Sequence, residues 1–195
     1  IIKILIYKGE KMNIHKFDVK KLEKLNNPQR LQMLDLQNLI SELDLPSNSV
    51  LVDVGAGTGI FSQEFLNLIP DSTCFAYDIS KEMIDWIKEN RVEKMDSRLK
   101  AYLMEENKIP LEDKVADFVF MITLHHELEN GEKLLKDANR ILKDNGKILI
   151  CDWKEGVHHH FVKKESIISD LKNSNFNNIK EIDASEKLVC IIGSK

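Results

Sequence analysis

The chain has 195 residues, 43% of them hydrophobic and 31% charged, the length and composition of one globular domain with a full core. Its net charge of -4 excludes overall attraction to nucleic acid or an anionic membrane and leaves small-molecule chemistry as the reading. Cys74, Cys151 and Cys190 are widely spaced with no CxxC pair, which fits reduced, strand-buried thiols in a cytoplasm better than disulfides or a zinc site. No apolar run approaches the ~20 residues of a membrane span.

Lys8-Gly9-Glu10-Lys11, ahead of Met12, is what a purine-rich bacterial ribosome-binding site would encode if translated in frame. Residues 1–11 are therefore expected to be a leader upstream of a natural start at Met12, with an edge strand at 1–7 as the alternative. The expected organisation is a single domain over 12–195, with a helical segment at 12–49 and a core at 50–195. Apolar residues at helical spacing predict helices from Asp18 to Leu25 and from Gln29 to Leu43, separated by Asn26-Asn27-Pro28. Whether they pack plainly or cover a site is open at this point.

From Val50 onward strands and helices alternate. Strand-like runs are Val50 to Val54, Thr73 to Tyr77, Leu99 to Met104, Ala116 to Ile122 and Lys147 to Cys151. Amphipathic helical patterns occupy Ile60 to Ile69, Lys81 to Asn90 and Glu132 to Leu142. Such alternation predicts an α/β fold, a mostly parallel sheet with helices on both faces and ligands at the carboxyl ends of the strands. The tail departs from it: a helix from Glu165 to Asn173 precedes a hairpin of Ile179 to Ala184 and Lys187 to Ile192.

Between the first strand and its helix stands Val52-Asp53-Val54-Gly55-Ala56-Gly57-Thr58-Gly59. Three glycines in five residues suit a turn pressed against a bound group. About twenty residues on, Asp78 closes the next strand, where a carboxylate can accept two hydrogen bonds from a ribose diol. The third glycine comes one position early for a dinucleotide fingerprint, and Asp53 would repel a pyrophosphate but attract an ammonium. S-adenosylmethionine is thus favoured over a nicotinamide cofactor.

With these residues the chain resembles the class I S-adenosylmethionine-dependent methyltransferases, of the ubiquinone/menaquinone-biosynthesis-like type 11 group. Asp53 to Gly59 is similar to that family's first motif, Asp78 to its ribose-binding acid, Asp117-Phe118-Val119-Phe120 to its fourth-strand motif, and Arg140 to Lys147 to its turn before strand 5. In that turn Asp144-Asn145 replaces the usual Pro-Gly, which leaves the turn plausible because Asn tolerates a left-handed conformation. The resemblance implies a Rossmann-like seven-stranded sheet with an antiparallel C-terminal strand, and S-adenosyl-L-methionine as cofactor, leaving as S-adenosyl-L-homocysteine. It implies that Gly55 and Gly57 approach the methionine part, Asp53 its ammonium and Asp78 the ribose, that Ile79 packs on adenine, and that Glu105, with Glu106 a close second, faces the adenine amine. Ala56, Gly59 and Met121 complete the implied cofactor set. A narrower similarity, to small prokaryotic methyltransferases, rests on His15-Lys16-Phe17-Asp18, Glu105 to Pro110, His126-Glu127-Leu128 and Asp152-Trp153-Lys154.

Methyl transfer from a sulfonium is an in-line displacement, so positioning matters most and a base is needed only for an acceptor that must lose a proton. His126, ending the apolar run of the fourth strand, is the candidate base, because imidazole ordinarily titrates near ~6.5. A pocket-shaping role is its alternative, and His125 is the weaker candidate. His158-His159-His160 reads as a solvated loop with no metal expected, or as a source of one acceptor contact. Trp153 could stack on a flat acceptor or close the core edge. The expected partner is a small-molecule substrate, without nucleic acid or membrane. A protein or nucleic-acid methyltransferase and a non-catalytic S-adenosylmethionine-binding module are the alternatives, the second because the segment from Trp153 to Lys164 is short for a substrate cover.

Overall fold

The computed structural model describes residues 19–195, with side chains from Leu22 onward. The expected leader, the start at Met12, the motif His15 to Asp18 and the first residue of the first helix lie outside the described residues. The chain opens with α1 (Val19–Leu25), a 3-10 turn (Pro28–Met33) and α2 (Leu36–Leu43). Then follow β1 (Val50–Val54), α3 (Ile60–Leu68), β2 (Thr73–Asp78), α4 (Lys81–Ile87), β3 (Leu99–Leu103), β4 (Ala116–Ile122), α5 (Gly131–Ile141), β5 (Leu142–Trp153), α6 (Lys164–Asn173), β6 (Asn177–Ile182) and β7 (Leu188–Ser194).

The seven strands form one sheet in the order β3-β2-β1-β4-β5-β7-β6, as expected for a Rossmann-like methyltransferase sheet. Neighbours from β3 to β5 are parallel, and β7 runs antiparallel to both β5 and β6. Strand alternation divides the core. Leu51, Phe118 and Phe120 face α2, α3 and α4, where Phe65 packs on both phenylalanine rings at 5.5 and 4.6 Å. Val52, Val54, Val119 and Met121 face Leu134, Leu135, Ala138, Ile167 and Leu171 of α5 and α6. Each such buried side chain contributes about 1.5–3 kcal/mol by leaving water.

Two helix expectations change. The helix read from Gln29 to Leu43 is broken, because Leu34 is extended and the Asp35 side chain caps α2 by accepting from Asn38 N–H at 3.0 Å. The helix read to Asn90 ends at Ile87 and runs on as a π-helical turn, Lys88–Val92, from which Arg91 donates to Thr58 O at 2.6 Å. In the turn before strand 5, Asn145 is not among the residues of positive φ. That turn instead belongs to β5, which shifts register between Ala116 and Phe118 of β4. Gly146 is needed there for space, since a Cβ would lie 2.7 Å from Leu142 Cδ2 and 2.9 Å from Lys143 O.

Candidate active site

Sheet order reverses direction between β1 and β4, and at such a point the loops leave the carboxyl edge on opposite sides and open a crevice. Here it is a cavity of about 570 Å³, within the ~300–1,000 Å³ of ordinary ligand sites. Its floor is the glycine turn. Gly55, Gly57 and Gly59 have φ of 72°, 55° and 67°, the left-handed region that a Cβ disfavours. Gly55 and Ala56 donate to Tyr77 O at 2.8 and 3.0 Å, binding the turn to the end of β2. A Cβ on Gly55 would sit 2.7 Å from Leu124 Cδ1, whereas one on Gly57 would meet nothing nearer than Leu25 Cδ1 at 3.6 Å. The first glycine thus admits Leu124 from beyond β4, and the second keeps backbone open to the cavity.

Asp78 lies on the wall, its Oδ2 accepting from Gly57 N–H and its Oδ1 from Ser80 N–H, both at 2.8 Å. The capping of α4 falls to Ser80, whose Oγ accepts from Met83 N–H at 3.3 Å. Ile79 follows Asp78 at the rim, 65% exposed, opposite an apolar wall that includes Met83, Met104, Leu128 and Leu134. Deeper in, alternation along β1 turns Asp53 to the α3 face beside Phe120, where Ser62 Oγ donates to it. Burial pushes the Asp53 carboxyl up to about 7, against the Ser62 hydrogen bond and the Arg30 charge, which lower it, while Asp78 adds to the rise.

Arg30 is the wall residue that sequence reasoning missed. Its guanidinium lies over the Phe61 ring at 5.4 Å and donates to Leu25 O at 3.3 Å and Thr123 Oγ1 at 2.8 Å, while burial lowers its pKa. Thr123, a β-branched residue at φ 54°, is a strained position of the kind that costs about 1–3 kcal/mol and gathers at ligand sites. The N-terminal segment, left open between packing and cover, thus supplies Leu25 and Arg30 to the wall.

Of the expected cofactor set, Asp53, Gly55, Ala56, Gly57, Asp78, Ile79 and Glu106 line the cavity. Glu105 does not: it pairs across a bridge with Lys108, so the acidic position on the wall passes to Glu106. Met121 is fully buried in the core on the sheet face covered by α5 and α6 and is not among the cavity-lining residues. Gly59 is the N-cap of α3 and packs on Ile87.

His126 lies beside the cavity, between the lining residues Leu124 and Glu127. Its Nδ1 is 2.7 Å from Asp152 Oδ1 and its backbone N–H donates to Asp152 Oδ2 at 3.0 Å. His125 turns to α6 instead, its Nε2 3.0 Å from Asp170 Oδ2. Trp153 stacks on His158 at 4.9 Å and 22°, and His158 and His160 lie 6.1 and 6.4 Å from the His126 ring. Among the described residues, no group of three His, Cys, Asp or Glu side chains is placed to hold a metal ion.

Residues 52–150, about half of the chain, match the family described as Methyltransferase domain. The chain belongs to this methyltransferase family. A SAM dependent methyltransferase from Aquifex aeolicus superposes with a TM-score of 0.81 at 26% identity, covering 92% of this methyltransferase chain and 99% of that one. An uncharacterized protein of Methanocaldococcus jannaschii is 29% identical over 133 residues, 67% of this chain and 58% of that protein. Malonyl-[acyl-carrier protein] O-methyltransferase 2 of Ilyobacter polytropus is 29% identical over 136 residues, 68% of this chain and 51% of that protein. The chain spans little more than half the length of these two relatives. S-adenosyl-L-methionine is the cofactor of the family, and the wall residues fit it: a glycine without Cβ at Gly57, carboxyl groups at Asp53 and Asp78, and the guanidinium of Arg30.

Proposed function

We propose that the chain is an S-adenosyl-L-methionine-dependent methyltransferase acting on a small-molecule acceptor. The observation that carries this reading is the convergence on one cavity of the glycine turn and Asp78 with Asp53 and Arg30. When bound, the cofactor supplies an activated methyl group on a sulfonium. Asp78 takes the ribose diol, Ile79 and the methionine-rich wall take the adenine, and Glu106 faces its amine. Asp53 would meet the ammonium, and with Gly57 it would hold the methionine end. His126, beyond the end of β4, stands as the proton acceptor.

A small acceptor is supported by the size of the cavity and by the acidic net charge of the chain. The test is transfer of label from methyl-labelled S-adenosylmethionine into a metabolite extract. Labelled low-molecular-weight product is expected; label appearing only in protein or nucleic acid would reassign the acceptor, and binding without any transfer would make the chain a non-catalytic binder.

A further inference from the structure

We propose that Asp152 is the positioning residue of an Asp152–His126 pair whose free imidazole nitrogen takes a proton from the acceptor, making that acceptor a neutral O–H or S–H nucleophile. The inference rests on the methyl-transfer reading. Asp152 is 0% exposed near the carboxyl end of β5, following the apolar run Ile148, Leu149, Ile150 and Cys151. A buried carboxyl there is costly unless its hydrogen bonds are made, and those the structure shows go to two neighbouring residues. Oδ2 accepts from His126 N–H at 3.0 Å, and Oδ1 accepts from Trp153 N–H at 2.7 Å while meeting His126 Nδ1 at 2.7 Å. Both oxygens accept from backbone N–H groups, an environment suited to the ionised carboxylate, and on this proposal the proton of the Nδ1 contact is on the imidazole. Nε2 then carries the lone pair.

That lone pair has an outlet. Nε2 is 3.8 Å from Glu127 Oε1, a residue of the cavity wall, and the half-buried His158 and exposed His160 rings lie 6.1 and 6.4 Å from the His126 ring. Trp153, whose N–H is held by the same Asp152, stacks on His158. In the reaction the bond from acceptor oxygen or sulfur to the methyl carbon forms as the carbon–sulfonium bond breaks. The electron pair stays on sulfur, giving a neutral thioether, and the acceptor proton goes to His126 Nε2 and on to water past His158 and His160. A carboxylate acceptor has no proton to give up and would not need the pair.

The test uses the 15N-labelled full chain. Long-range 15N–1H correlations of the imidazoles are expected to show His126 as the Nδ1–H tautomer, with S-adenosylhomocysteine absent or bound. Asp152→Asn, which can donate to Nδ1, is expected to shift it toward Nε2–H. His126→Gln and Asp152→Asn are expected to bind S-adenosylhomocysteine within about twofold of wild type, yet to lose label transfer into a metabolite extract by roughly 10²-fold or more. An Nε2–H tautomer in the wild type, which needs no variant to fold, would overturn the proposal, as would undiminished transfer by His126→Gln. If wild type fails to bind S-adenosylhomocysteine, the methyl-transfer reading falls as well; if it binds and the tautomer is wrong, the pair alone falls.

Discussion

Asp53 is the cavity-wall carboxyl whose charge state burial alters. Burial holds its carboxyl at about 7, with Ser62, Arg30, Asp78 and Cys74 as the groups around it. In the free protein the neutral form is favoured, so its contribution to stability is full at low pH and is lost as pH rises from the ordinary carboxyl range through about 7. A bound ammonium reverses the preference, and below that pH binding must expel a proton. Calorimetric affinity for S-adenosylmethionine is therefore expected to fall by up to about tenfold per unit as pH drops below 7, and to level off above 8. Asp53→Asn should bind weakly with no such slope; a sloping variant would remove Asp53 from the site. Gly55 is tested by stability instead. Its φ of 72° and the Leu124 methyl groups that would crowd a Cβ both oppose a side chain. Gly55→Ala is expected to lower urea-measured stability by about 1–2 kcal/mol or more.

At the scale of elements, the sequence was most legible where one strand carries one pattern. β1 and β4 run over the residues their apolar runs indicate, and α3, α5 and α6 differ from expectation by a residue or so at their ends. The N-terminal helices were less so, because the periodicity from Gln29 to Leu43 does not reveal that Leu34 leaves helical angles. That break is set by tertiary contacts: Asp35 N–H donates to Ala184 O at 2.7 Å from the far end of the chain, while its side chain caps α2. Asp35→Ala is expected to cost about 1 kcal/mol, read by urea unfolding. No change would mean that the cap contributes nothing beyond the backbone contact. The same kind of distance hid half of the candidate site. Asp78 and the glycines announce themselves by spacing, but Arg30 meets Thr123 across 93 positions and His126 meets Asp152 across 26. Glu105 and Glu106 show the converse limit, since two adjacent acids cannot be told apart by sequence, and the structure sets Glu105 in a bridge with Lys108 and Glu106 on the cavity wall.

In the whole molecule, the sheet order places the reversal of chain direction between β1 and β4, and seven of the residues expected to hold the cofactor line the cavity there. The N-terminal segment closes one side through Leu25 and Arg30, and the turn after β4 closes the other through Thr123 and Leu124. The three cysteines lie in strands and are fully buried, as their positions in apolar runs indicated, with Cys151 opposite Cys190 across β5 and β7. The central claim is that this crevice is an S-adenosylmethionine site, and calorimetry on the full chain tests it most directly. Titration with S-adenosylmethionine, S-adenosylhomocysteine and NAD should give one-to-one binding of the first two and none of the third, with Asp78→Ala weakening binding by roughly 10–100-fold through loss of a charged hydrogen-bond acceptor. Binding of NAD without either sulfur compound, or full-strength binding by Asp78→Ala, would contradict it.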